Sequence, residues 1–261
     1  RPHLAPLRRE LADAGFAVCG LASSVRFDYP ENRQIEQQIE IGRAYVDLAF
    51  ELGASFVRVF GDVIPPDAAD GCRSAALSRI AAGIDRLAEI ARAAGVDILL
   101  ETHGDFSESE NVCDVMAMTN CPAAGVLWDT HHPWRFCGEP LPQTFRVMGR
   151  WVRHTHWKDS VSRRTRQTDS SGDEAARKAH ELMSGHRHAD YVLFGEGEFP
   201  AGECMSLLRD SAYEGWFSLE WEKMWHPEIE EPEVALPPFP HRLRQLYASS
   251  STNSSDGNSA S

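Results

Sequence analysis

Four short apolar runs end in residues that can ligate a cation, and they constrain the fold more than any other feature of the chain. Residues 97–103 read DILLETH, 125–132 GVLWDTHH, 151–159 WVRHTHWKD and 215–222 GWFSLEWE. One carboxylate at the end of an apolar strand most often caps a helix or pairs in a loop. Four such ends in succession, carrying Glu, Asp, His and Glu, have a shared physical reading. In a closed barrel of parallel strands every strand ends on the same face, so the four ends converge. Three carboxylates gathered there repel one another, and a divalent cation is the simplest relief.

The rest of the chain keeps the rhythm of such a barrel. Helical spacing over 4–14 is stopped by Gly15, and a short strand is expected over 16–21. An amphipathic helix over 32–52 ends at Gly53, a Val-rich strand covers 55–60, Pro65-Pro66 marks a loop, and a helix over 75–94 is stopped by Gly95. A helix near 109–119 follows the Glu101 strand. A loop rich in His, Pro and Trp follows the Asp129 strand, then a helix near 142–149. An insertion over 161–189, with a short helix near 173–183, follows the His156 strand. A brief apolar segment at 191–194 and a helix over 201–212 lead to the Glu220 strand. A Pro-laced segment over 227–240 and a final helix over 241–247 close the pattern. Alternating strands and helices indicate a parallel sheet covered by helices.

About six strand-helix units can be counted, whereas a closed barrel of this kind has eight. The expected fold is therefore α/β, a TIM (β/α)8-type barrel over residues 1–247 that lacks its first two strands. The Ser-rich tail, 248–261, is expected to be disordered. An open doubly wound sheet is the alternative, but no Gly-x-Gly-x-x-Gly opens a helix, so dinucleotide binding of that type is unsupported. The chain opens with Arg1 rather than Met and enters a helix at once, which leaves room for a further N-terminal segment.

Net charge and cysteine usage narrow the function. A net charge of −13 opposes a nucleic-acid-binding surface. No apolar run reaches the roughly 20 residues of a membrane helix. The six cysteines are scattered without a Cys-x-x-Cys, as in a reduced, cytoplasmic protein, and thiolate-held zinc is not expected. An unsealed barrel edge would favour pairing with a second copy of the chain.

Strand alternation places Leu99, Glu101 and His103 on one face, Leu127, Asp129 and His131 on another, then Val152, His154 and His156, and finally Ser218, Glu220 and Glu222. Alternation alone does not choose between His154 and His156, or between Glu220 and Glu222. The motifs LETH at 100–103, WDTHH at 128–132, HTHWKD at 154–159, GEGE at 195–198 and SLEWE at 218–222 resemble the sugar phosphate isomerase/epimerase family of xylose isomerase-like barrels. That family includes ketose 3-epimerases, hydroxypyruvate isomerase, inosose dehydratase and endonuclease IV. The resemblance implies one divalent metal ion (Mn²⁺, Mg²⁺, Co²⁺ or Zn²⁺) held by Glu101, Asp129, His156 and Glu220. It selects the second His of the His-x-His pair and the Glu that follows the apolar dipeptide. It implies Glu101 and Glu220 as the acid/base pair, and His132 as a substrate contact. His103 and Lys158 are further candidate contacts at the barrel mouth.

Three carboxylates and an imidazole suit such metals. A metal bound to a hydroxyl and the neighbouring carbonyl acidifies the carbon between them, and flanking carboxylates then remove and return a proton through an enediolate. The implied activity is a metal-dependent isomerase or epimerase of a small sugar or hydroxy-carbonyl compound. The alternatives are an inosose-dehydratase-like lyase, an endonuclease IV-like hydrolase, or a barrel relic without catalysis.

Simpler roles compete for several residues. His103 and His154 suit hydrogen-bonded barrel positions, and His131 a structural one. Lys158-Asp159 reads as a surface ion pair or a contact at the mouth. Gly195-Glu196-Gly197 reads as a turn, and Glu222 as an outer or solvent-facing carboxylate. Trp221 and Trp225 either wall the mouth or pack. His180, His186 and His188, with Arg163, Arg164 and Arg166, read more simply as a solvated loop than as a second metal or phosphate site.

Overall fold

A computed structural model describes residues 4–64, 71–162 and 189–252. The expected loop at Pro65-Pro66, the helix near 173–183, the insertion's histidines and arginines, and the tail beyond Thr252 lie outside the described residues. The chain divides into two compact units, residues 1–128 with 147–154, and residues 129–146 with 155–261.

The first unit alternates helix and strand. In order it holds α1 (Leu4–Asp13), β1 (Gly20–Arg26), α2 (Asn32–Leu52), β2 (Phe56–Phe60), α3 (Cys72–Arg92), β3 (Asp97–Glu101), α4 (Ser109–Met118) and β4 (Ala124–Asp129), whose last residue belongs to the second unit. The strands pair in parallel in chain order, β1 with β2, β2 with β3 and β3 with β4, and Glu101 stands opposite Leu127. Every residue of β4 is buried, as expected of a strand covered on both faces. Phe56, Leu99 and Leu127 form one core cluster between these strands.

The helices of this unit follow the apolar spacing. In α2 the buried positions are Ile35, Ile39, Gly42, Val46 and Ala49, one face of a 3.6-residue repeat. Gly42 lets α3 approach closely, because a Cβ there would stand 2.6 Å from the Leu87 side chain. Gly53, at φ +76°, ends α2 in the left-handed conformation. The first strand begins later than the expected 16–21. The chain leaves α1 with Phe16 N–H donating to Leu11 O, and pairing with β2 starts only at Gly20 opposite Phe56.

The second unit holds α5 (His131–Cys137), most of α6 (Leu141–Met148), and the second half of β5 (Val152–Trp157). It continues with β6 (Asp159–Val161), β7 (Asp190–Val192), α7 (Ala201–Asp210), β8 (Phe217–Leu219), α8 (Pro232–Ala235) and α9 (Pro238–Thr252). β5 and β8 run parallel, with His156 opposite Ser218 and Trp157 opposite Leu219. β6 and β7 form an antiparallel pair that sets Ser160 opposite Tyr191.

Three expectations are corrected here. The stretch after Asp129 is the helix α5 rather than a loop. Its first amides find an acceptor in the Asp129 carboxylate, and Gly138 at φ +67° stops it. The Pro-laced segment contains α8, which Pro232 opens at a position where its missing N–H costs nothing. The last helix is longer than expected, from Pro238 to Thr252, so its final turn takes in the first serines of the tail, and Ser249 Oγ donates to Gln245 O at 2.8 Å.

Among the described residues the parallel pairings thus involve six strands, β1 to β5 and β8, against the about six strand-helix units expected. Among the described residues no helix is long and apolar enough to cross a membrane.

Candidate metal centre

Asp129, His156 and Glu220 sit at or just past the C-terminal ends of β4, β5 and β8 in the second unit. Parallel pairing of β5 with β8 brings two of these ends side by side, and Glu220 N–H continues the ladder by donating to Trp157 O at 2.9 Å. Each of the three offers a ligand atom, and these atoms lie within 4.8 Å of one another. His156 Nδ1 is 3.5 Å from Glu220 Oε2. A second group, His132, Glu220 and Glu222, converges equally closely.

Lys158 occupies the centre of this cluster. Its side chain is 1% exposed, and Nζ lies 2.9 Å from Asp129 Oδ2, 2.5 Å from Glu220 Oε2 and 2.5 Å from Glu222 Oε1. It also donates to His132 Nε2 at 3.0 Å, which requires that ring to carry its proton on Nδ1. Burial opposes the lysine charge, but the carboxylates of Asp129, Glu220 and Glu222 outweigh it and raise the Lys158 pKa well above its ordinary value. Glu220 shows the converse. Burial works against its charge, yet Lys158 and His156 hold it well below the usual carboxylate range.

Of the two readings of Lys158-Asp159, the surface ion pair is overturned: both residues are buried and they serve different partners. The Asp159 carboxylate accepts backbone N–H bonds from Ser160, Gly195, Gly197 and Phe199 at 2.8–3.0 Å. The 195–197 turn is therefore wrapped around this carboxylate. Gly195 takes φ +84°, and a Cβ on Gly197 would stand 2.1 Å from Asp159 Oδ1. Glu198 extends the same loop outward. It accepts from Ser162 Oγ and N–H and from Arg135 Nη2, which lower its pKa to about 2. His131 is packed into the fold beside the site. Its Nε2 lies 2.7 Å from Ser160 Oγ, its ring is caged by Trp134, Phe136, Tyr191 and Phe199, and burial holds it neutral well below its ordinary pKa. Trp221 packs against the Ala189, Tyr191 and Ile229 cluster and donates to Glu230 O at 2.8 Å.

Glu101 and His103 belong to the first unit. Glu101 is buried at the end of β3 and pairs with the Arg58 guanidinium, which also lies over the Phe60 ring. His103 Nδ1 is 3.2 Å from Asp62 Oδ1, and its ring stacks on Phe60 at 4.5 Å. Arg26 Nη1 donates to the other Asp62 oxygen at 3.0 Å. His154 is buried and packs its ring on Phe56 at 4.5 Å.

The donor chemistry fits a divalent cation. Two carboxylates and an imidazole form a hard-to-borderline set, and a positive group already touches the oxygens that would bind it. Sequence reading missed two contributors to this pocket, Tyr191 and His226; of its two readings of Glu222, the outer carboxylate agrees with the structure and the solvent-facing one does not. Glu222 is buried against Lys158, Tyr191 and His226 meet edge-on with ring centroids 4.9 Å apart, and His226 lies 3.9 Å from Glu222. The Glu-x-Glu spacing of 220–222 was the local signal for Glu222. For Tyr191 and His226 there was none.

Comparison with known proteins bears on this arrangement. The family model described as xylose isomerase-like TIM barrel matches residues 3–237. Among similar sequences, an inosose dehydratase of Lacticaseibacillus casei is 26% identical over 147 residues, 56% of this chain and 47% of its own length. A fructoselysine 3-epimerase of Shigella flexneri is 24% identical over 234 residues, 84% of this chain and 72% of its own. The chain thus spans about half the length of the inosose dehydratases it matches. Among solved structures, an L-ribulose 3-epimerase aligns with TM-score 0.74 at 14% identity, over 99% of this chain and 84% of the other. A xylose isomerase-like TIM barrel protein from Mycobacterium smegmatis, in complex with magnesium, aligns with TM-score 0.65 at 16% identity over 95% and 78% of the two chains. An IOLI protein with a bound zinc atom aligns with TM-score 0.65 at 15% identity over 96% and 80%. These alignments establish an α/β, TIM-barrel-like fold.

Proposed function

The chain belongs to the xylose isomerase-like TIM barrel family, and from that premise we propose that it is a divalent-metal-dependent isomerase or epimerase of a small sugar or hydroxy-carbonyl compound. The observation that carries the reading is the convergence of Asp129, His156 and Glu220 at strand ends of the second unit. Asp129, His156 and Glu220 would hold the metal, with Glu101 as the fourth ligand by its motif. Mn²⁺, Mg²⁺, Co²⁺ and Zn²⁺ all suit that donor set. A cation bound there supplies Lewis acidity that polarises a substrate carbonyl and weakens the neighbouring C–H bond.

The protein's own groups do the rest. Glu101 and Glu220 serve as the acid/base pair. One removes the proton beside the carbonyl to leave an enediolate. The other returns it, to the opposite face in an epimerisation or to the adjacent carbon in an isomerisation. His132, which accepts from Lys158 at Nε2, is proposed to contact a substrate hydroxyl. Lys158 and His103 are the further proposed substrate contacts, His103 being oriented by Asp62. Similarity to an inosose dehydratase favours a second reading at the same site, in which a hydroxyl leaves from the enediolate and water is lost.

Metal quantification on the purified protein, followed by solvent-deuterium exchange into a panel of ketoses and hydroxy-carbonyl acids, tests the proposal. Deuterium incorporation without loss of mass marks proton transfer; loss of water marks the dehydratase. Glu101→Gln and Glu220→Gln are each expected to abolish exchange while leaving the fold intact. Full activity in both variants would refute their roles, and a protein with no metal affinity would mark a barrel without catalysis.

A further inference from the structure

The oxygens proposed to bind metal already bind an ammonium. Lys158 Nζ contacts Asp129 Oδ2 at 2.9 Å and Glu220 Oε2 at 2.5 Å; Lys158 and Asp129 are buried, so water screens that pair little, while Glu220 is 30% exposed. Two further partners do not belong to the proposed ligand set: Glu222 Oε1 at 2.5 Å and His132 Nε2 at 3.0 Å. The lysine therefore has a second place to rest inside the same pocket.

We infer that Lys158 is a built-in counter-ion of the metal site, competing with the divalent cation for Asp129 and Glu220 and withdrawing toward Glu222 and His132 when metal binds. This rests on the metal-centre reading above. Two consequences follow from the charges alone. Lys158 neutralises carboxylates that would repel one another in the metal-free protein, so it keeps the empty pocket assembled. It also lowers metal affinity, because binding must first break its contacts. Glu222 acts through Lys158, as a positioning residue that holds the displaced ammonium.

The experiment is Mn²⁺ binding by calorimetry, with thermal unfolding in chelator and in excess Mn²⁺, on the full chain. Lys158→Met is expected to bind Mn²⁺ more tightly by about tenfold or more, within the range that groups outside the ligand shell exert on metal affinity. It is also expected to unfold at a lower temperature in chelator and to gain more from Mn²⁺ than the wild type does. Glu222→Gln should weaken Mn²⁺ binding in the wild-type background and change it little when combined with Lys158→Met, which separates action through the lysine from direct ligation. If Lys158→Met does not fold without metal, Lys158→Gln and a chelator-competition titration of the metal-loaded variants give the same reading. A wild type that binds Mn²⁺ while the Lys158 variants bind it equally or more weakly overturns the inference and leaves the metal centre standing. A wild type that binds no divalent metal removes both.

Discussion

Asp129 uses its two oxygens for two tasks, and substitution separates them. Oδ1 accepts the N–H groups of His131 and His132 at 2.9 and 3.1 Å and so starts α5, while Oδ2 meets Lys158 at 2.9 Å in a pair with almost no solvent exposure. Asp129→Asn keeps a carbonyl oxygen for the cap and loses the charge; Asp129→Ala loses both. Removing one partner of a buried ion pair costs about 3–5 kcal/mol when the other is stranded. Lys158 keeps Glu220 and Glu222, so about 2 kcal/mol is the expected loss for Asp129→Asn. Loss of the cap adds about 1 kcal/mol for Asp129→Ala. Against a total stability of about 5–15 kcal/mol, both variants still fold. Urea unfolding in chelator at neutral pH should rank wild type above Asp129→Asn above Asp129→Ala, the last two separated by about 0.5 M or less in midpoint. Both variants should bind Mn²⁺ at least about tenfold more weakly than the wild type. Equal stability of the two variants would refute the capping role, and wild-type Mn²⁺ affinity in Asp129→Asn would refute the ligand role.

Two further perturbations address the loop beside the site. Gly197→Ala places a Cβ 2.1 Å from Asp159 Oδ1, pushes the carboxylate off its amides, and should cost about 2–4 kcal/mol in urea unfolding; a loss below about 1 kcal/mol would show that the loop yields instead. Glu198 has its pKa lowered from 4.5 to about 2 by Ser162 and Arg135, so its contribution is present above pH 4.5 and disappears as pH falls through about 2. The unfolding-temperature difference between wild type and Glu198→Gln should shrink across that window, and a pH-independent difference would contradict the sign.

The local pattern of the chain was enough to establish most of the architecture. Ile35, Ile39, Val46 and Ala49 recur at helical spacing and are the buried face of α2, and the apolar runs before Glu101 and Asp129 are strands β3 and β4. Those signals are local because each element buries one side of itself whatever its neighbours are. Strand ends carrying Asp129, His156 and Glu220 were legible for the same reason. Alternation left His154 and His156 equal, as it did Glu220 and Glu222, because it fixes a face and not what covers it. Tertiary packing set His154 on Phe56 and His156 beside Glu220, and it buried Glu222 against the lysine. Lys158 marks the boundary most clearly. Nothing near it in sequence announces a buried ammonium, since the charges that make its burial tolerable arrive from Asp129, Glu220 and Glu222, and only the folded chain brings carboxylates from such separations to one point.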